Sequence, residues 1–304
     1  AEVVSEKISR TAFILYLFFI NMGAAHHLMV DPALAASWKV WNTSYAAYGA
    51  VLASLIHAFA IPAGIEAGRR KRGGGKSLFS WLWSAPWKDP VFSSTIFGII
   101  LFGFMGGITG VIMGQMQLNL TWHNTWATVG HFHATVVLGT TITFMGLVYF
   151  VIRTIFRREL FMGWLARLQP YFYAGTMGLA TLMMLYLGIL YGIPRRHPSV
   201  MDIPGTDFSF AASEPLFIIF GIAAVFAIVG GIFFVVVAVG SLLFGKEIDP
   251  STVIPPIMHE DGDGTPVHLQ SMRGTFTLTM IFLGVFVVTY ILNWYLLSRL
   301  WEIG

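Results

Sequence analysis

Nine histidines occur in the 304 residues, and several sit where their spacing limits the chemistry they can do. His131 and His133 lie in the run HNTWATVGHFHATV (123–136). Each residue of a helix turns by about 100°, so two rings two positions apart point about 200° apart. One helix can therefore offer an imidazole to each of two cofactors on opposite faces, and haem iron accepts axial imidazole. A single ion is poorly served by diverging rings. The competing reading is two core histidines, each hydrogen-bonded on its own. His26 and His27 are adjacent, about 100° apart on a helix, so both can reach one metal beside a helix end; imidazole suits copper, zinc and iron. Alone, the pair reads equally as polar groups at an interface. Arg195 and Arg196 suit bound anions, because guanidinium pairs with carboxylates bidentately, or else they form an ordinary loop pair. Ser54 and His57, one turn apart, are either a short proton relay or polar groups in helix packing.

The elements that carry these residues are membrane spans. Residues of the apolar class make up 56% of the chain and charged residues 11%, against about 25% charged in soluble domains, and the mean hydropathy is +0.72. Seven apolar stretches are long enough to cross a bilayer, near 11–30, 44–67, 91–116, 127–152, 171–193, 215–244 and 275–297, since a span takes about 20 residues. They predict one domain, 1–304, of packed transmembrane helices. There is no cysteine, which excludes disulfides, thiolate ligands and a dinuclear CuA centre within the chain. No signal-peptide pattern opens at Ala1, and the chain is expected to be processed, split or a fragment.

With the N-terminus in the cytoplasm, fourteen of the 18 Lys and Arg residues fall inside. Only Lys39, Arg195, Arg196 and Arg299 fall outside, a strong positive-inside bias. The run GRRKRGGGK (68–76) is then a cytoplasmic loop, and no nucleic-acid partner is expected. The acidic and histidine-bearing stretch between Lys246 and Arg273 reads as a solvated loop. His26–His27, His131–His133 and Arg195–Arg196 all converge on the outer half of the membrane.

The segments GAAHHLMVDP, HNTWATVGHFH and GIPRRHP occur in the order and rough spacing of haem-copper oxidase subunit I. LFSWLWSAPWKDP (78–90) and the stretch from Glu66 to Gly75 resemble the B-type branch. The chain thus resembles the C-terminal half of the catalytic subunit of a B-type haem-copper oxygen reductase. The resemblance implies an all-α integral membrane fold, a bundle of seven transmembrane helices matching helices VII to XIII of that subunit. It implies that His26 and His27 are two of three CuB ligands, that His131 is the ligand of a high-spin haem (a3-, b3- or o3-like), and that His133 is one ligand of a low-spin haem (b- or a-type). Arg195, Arg196 and His123 would meet haem propionates. Asn119 stands where the family has an aspartate, which removes a charge from that region. The third CuB histidine, the cross-linked tyrosine and the other low-spin ligand lie upstream in the family, so an N-terminal half is an expected partner and activity is expected only with it.

The implied function is reduction of O2 to water in a respiratory chain, with coupled proton uptake. A CuA-bearing subunit II, cytochrome c or a similar donor, O2 and membrane lipid are the implied partners, and a prokaryotic plasma membrane is the implied location. Two alternatives remain: nitric oxide reduction by a relative of the same superfamily, and a non-catalytic di-haem electron-transfer cytochrome, which would have no use for His26 and His27.

Overall fold

An apolar segment in lipid finds no water for its peptide groups, so a span must close its hydrogen bonds internally. Long apolar runs therefore become helices whatever their individual propensities. The computed structural model describes residues 6–23, 29–30, 32–42, 47–71, 73, 76–195, 211–252 and 273–300. In chain order the helices are α1 (Glu6–Met22), α2 (Ala36–Trp41), α3 (Ala47–Lys71), α4 (Ser80–Trp83) and α5 (Pro90–Leu101). A π-helical stretch, Phe102–Gly107, leads into α6 (Ile108–Met113), followed by α7 (Met116–Trp122) and α8 (Trp126–Phe132). A second π-helical stretch, His133–Thr140, continues into α9 (Thr141–Thr154). Then come α10 (Gly163–Tyr191), α11 (Glu214–Phe244) and α12 (Arg273–Leu300).

Among the described residues, five helices are long and apolar enough to cross a membrane: Gly49–Lys71, Pro90–Met113, Trp126–Thr154, Gly163–Tyr191 and Ala211–Phe244. They correspond to five of the seven predicted spans, and the all-helical membrane architecture is as expected. The stretches 11–30 and 275–297 fall on α1 and α12. Both are helical, α1 over 17 residues and α12 over 28. Helix α10 begins eight positions before the predicted 171, because polar Arg167 and Gln169 mask its first turns in an apolarity count. Gln169 is buried and accepts a hydrogen bond from the Tyr149 hydroxyl at 3.2 Å.

The chain gathers into two units, 1–85 with 108–121 and 258–304, and 86–107 with 122–257. In the first, α3 lies against α1 and α12. Its organising residue is Glu66, which is 0% exposed. The carboxylate accepts from Arg70 Nε at 2.8 Å, from the Gly274 N–H at 3.0 Å and from the Thr275 N–H at 2.6 Å. The last two are orphan donors of the first turn of α12. A buried charge is tolerable only when paired and hydrogen-bonded, and here a residue 208 positions away caps a helix that has no acidic residue in its own first turn.

In the second unit, α10 packs along α11, α8 and α5, and α5 along α9. The core is Leu138, Ile142, Met145, Tyr173, Ala174, Met177, Ala180, Met184, Ala223 and Ala227. Large apolar side chains on the outer flanks, such as Val225, Leu243 and Phe244, stay exposed, as lipid-facing residues do. Two connections are laced together: Glu159 N–H donates to Lys246 O at 2.9 Å and Ile248 N–H to Arg157 O at 2.8 Å.

Candidate functional site

Helix α8 starts at a side-chain cap, Thr125, whose hydroxyl accepts from the Ala127 N–H at 3.2 Å, and it is held hard against α10. A Cβ on Gly188 would overlap the backbone of Ala127, and one on Gly130 would meet Leu185 N at 2.9 Å. Small residues let two membrane helices approach this closely. The contact fixes the register of the turn that carries His131 and His133.

Phe132 (φ −59°, ψ −42°) and His133 (φ −66°, ψ −36°) keep helical torsions, so the helix continues through H-F-H and the rings leave it about 200° apart. Both histidines are half-buried, with Phe132 exposed between them. His133 Nδ1 lies 2.8 Å from Val129 O. A carbonyl only accepts, so Nδ1 carries the proton and Nε2 keeps its lone pair. That is the tautomer, and the orienting contact, that an axial imidazole needs. The residues thus fit a haem ligand. Past His133 the backbone is π-helical, a form found often at functional sites. The Thr140 and Thr141 hydroxyls donate to the carbonyls of Thr135 and Val136 at 3.0 and 2.9 Å, and the Tyr173 hydroxyl donates to Val137 O at 2.8 Å.

Arg195 is brought beside His123 by a short antiparallel link. Thr125 and Pro194 form an isolated bridge, Trp126 N–H donates to Ile193 O at 2.8 Å, and Arg195 N–H donates to Asn124 O at 2.7 Å. The guanidinium Nε also donates to Asn124 Oδ1 at 3.2 Å. Burial, and then the Arg195 charge, hold the His123 imidazole below the usual histidine pKa. Asn124 adopts φ 63°, a conformation asparagine tolerates better than most residues. Its role was not foreseen, and the N-cap threonine after it was the only local signal.

His26, His27 and Arg196 lie outside the described residues, as does most of the predicted solvated loop with His259 and His268. Among the described residues no group of three or more His, Cys, Asp or Glu side chains is arranged to hold a metal. In the first unit, Ser54 and His57 share a neighbour the sequence did not single out. The Tyr16 hydroxyl is 2.6 Å from Ser54 Oγ, and the Tyr16 and His57 rings stack at 6.4 Å. Ser54 Oγ donates to Ala50 O at 3.0 Å, so in that bond geometry Tyr16 is the donor to Ser54. Asn119 donates to Met113 O at 2.9 Å, while its Oδ1 and both polar atoms of Gln115, one turn earlier, are buried with no partner among the described residues.

The fold and these residues define a multi-pass helical membrane protein with paired imidazoles on one helix. A profile of the family "Cytochrome C and Quinol oxidase polypeptide I" matches residues 1–226, and the chain belongs to that family, whose members generally bind haems and the copper CuB. Cytochrome c oxidase subunit 1 of Thermus thermophilus is 27% identical over 268 residues, covering 84% of this chain and 44% of that protein. The subunit 1 of Pecten maximus is 32% identical over 128 residues, 41% of this chain and 26% of the relative. A solved structure described as a heme-copper terminal oxidase dimer superposes with a TM-score of 0.71 at 26% identity, covering 95% of this chain and 52% of that one. The chain therefore spans about half the length of the relatives it matches.

Proposed function

We propose that this chain forms the haem-ligating part of the catalytic subunit of a respiratory terminal oxidase that reduces O2 to water, working with an N-terminal half, a CuA-bearing subunit II and cytochrome c or a similar donor. It would sit in a prokaryotic plasma membrane with the N-terminus inside. The observation that carries this reading is the H-F-H turn: two imidazoles on opposite sides of one helix, one of them held by Val129 O with Nε2 ready for a metal. When bound, two haems and a copper supply electron transfer and oxygen reduction. His133 would hold the low-spin haem and His131 the high-spin one, with His26 and His27 contributing to CuB. Arg195 and Arg196 would neutralise propionates beside a neutral His123, which adds hydrogen-bonding capacity without a further charge. The Tyr16–Ser54 contact, with His57 stacked on Tyr16, would form part of a proton path, because a hydroxyl pair can accept a proton on one side and release one on the other.

A reduced-plus-CO difference spectrum on the purified complex, with copper assayed on the same sample, tests the assignment. His131→Ala should abolish the CO-responsive haem, and His133→Ala should remove the other haem first. Two haems with no CO response and no copper would instead identify an electron-transfer cytochrome, and O2-inactive but NO-reducing enzyme would identify the superfamily's other chemistry.

A further inference from the structure

At the opposite end of the second unit from His131 and His133 lies a cleft of about 620 Å³, between the start of α5, the end of α9, the start of α10 and the segment after α11. Three cations line it, Lys88, Arg153 and Arg167, with two carboxylates, Asp89 and Glu159. Asp89 is already engaged: it accepts the Val91 N–H at 2.8 Å as the cap of α5, and it pairs with Arg153 at 3.3 Å. That leaves Lys88 and Arg167 facing one exposed glutamate. Gly163 also lines the cleft and opens α10, a helix of 29 residues with no side-chain cap at its N-terminus. Uncapped N–H groups at a long helix's positive end favour an anion.

We propose that this cleft binds the phosphate headgroup of an anionic phospholipid. Two cations and a helix end select a phosphate, and the surroundings select a lipid over a free ion. Trp164, Leu168 and Tyr171 are 61%, 42% and 41% exposed, and their i, i+4, i+7 spacing makes one stripe on the face of α10 next to that of Gly163 and Arg167. An aromatic at headgroup depth followed by aliphatic surface is what an acyl chain meets at an interface. The Tyr171 hydroxyl donates to Trp87 O at 2.8 Å, which fixes that aromatic edge. Arg157, Arg158 and Lys246 belong to the connections at this same end of the second unit, and basic pockets beside membrane spans take anionic headgroups.

The test uses the assembled oxidase in phosphatidylcholine nanodiscs with and without phosphatidylglycerol, followed by native mass spectrometry of retained lipid. The wild-type complex should keep phosphatidylglycerol through detergent exchange, and rising salt should weaken that retention. The double variant Lys88→Gln/Arg167→Gln should hold it roughly thirtyfold more weakly, with its haem spectrum unchanged, while Lys88→Arg/Arg167→Lys should hold it normally. Equal retention by the wild-type complex and the glutamine variant overturns the proposal. So does retention by the wild-type complex that is insensitive to salt, which needs no variant to fold. Inorganic phosphate is the control for the other source of the same chemistry: if millimolar phosphate displaces the lipid, the cleft is a free-anion site and the lipid assignment is wrong.

Discussion

At the scale of single residues, the environment of each polar group decides its role. His123 has its pKa held below the ordinary 6.5 by burial and then by Arg195. The folded chain therefore binds fewer protons there than the unfolded chain once the pH drops beneath about 6.5. This contribution to stability is complete above that value and is lost as the pH falls toward the lowered folded value. His123→Asn should flatten that limb of a pH–stability profile measured by thermal unfolding in detergent, while a limb that persists in the variant would assign it to another group. Glu66 carries a larger load. Removing a buried carboxylate strands its partners, a loss of about 3–5 kcal/mol, so Glu66→Ala should unfold at markedly lower denaturant than wild type, with Glu66→Gln between the two because it keeps an acceptor but loses the charge. The sequence marked Glu66 as the start of a stretch resembling the B-type branch, with no structural role assigned to its carboxylate. Its partners Gly274 and Thr275 are backbone N–H groups far along the chain, and a backbone donor leaves no trace in residue types.

Helices convert those residue-level contacts into positions. Histidine spacing was legible in the sequence because a 100° step is a property of any helix, and the torsions at Phe132 and His133 preserve it. The π-helical stretches were not legible. An extra residue in a turn does not alter an apolar run, and the hydroxyls of Thr140 and Thr141 that reach the displaced carbonyls look like any threonines in a membrane helix. Nor was the α8–α10 contact, since glycine is common in spans for many reasons; only the geometry separates Gly188, whose Cβ would strike the Ala127 backbone, from Gly175, which has open space around it. Gly188→Val should push α8 off α10. Overpacking of this kind costs about 1–3 kcal/mol, and misplacing the histidine turn should lower the haem-to-protein ratio of the purified complex severalfold. Gly175→Val should leave the ratio unchanged; an equal loss in both would mean that glycine flexibility, not the α8–α10 contact, supports the site.

For the whole molecule, burial in a bilayer is the strongest constraint, which is why the five spans found among the described residues could be read from composition and order alone. The proposed orientation rests on the charge bias of the loops and can be checked on α3. Its 25 residues rise about 37 Å, enough to cross a hydrocarbon core of about 30 Å, so a residue before it and one after it must face opposite compartments. Lys39, in α2, precedes it, and Lys76 follows it beyond the basic run. The chain has no cysteine, so a single introduced thiol reports its own position without background. Lys76→Cys should react with a membrane-impermeant maleimide only in inverted vesicles, and Lys39→Cys only in right-side-out ones. The reverse pattern would put the loop at 68–76 outside and overturn the proposed orientation with the N-terminus inside. Labelling of both from one side would mean that α3 does not cross, and the charge bias would lose its topological meaning.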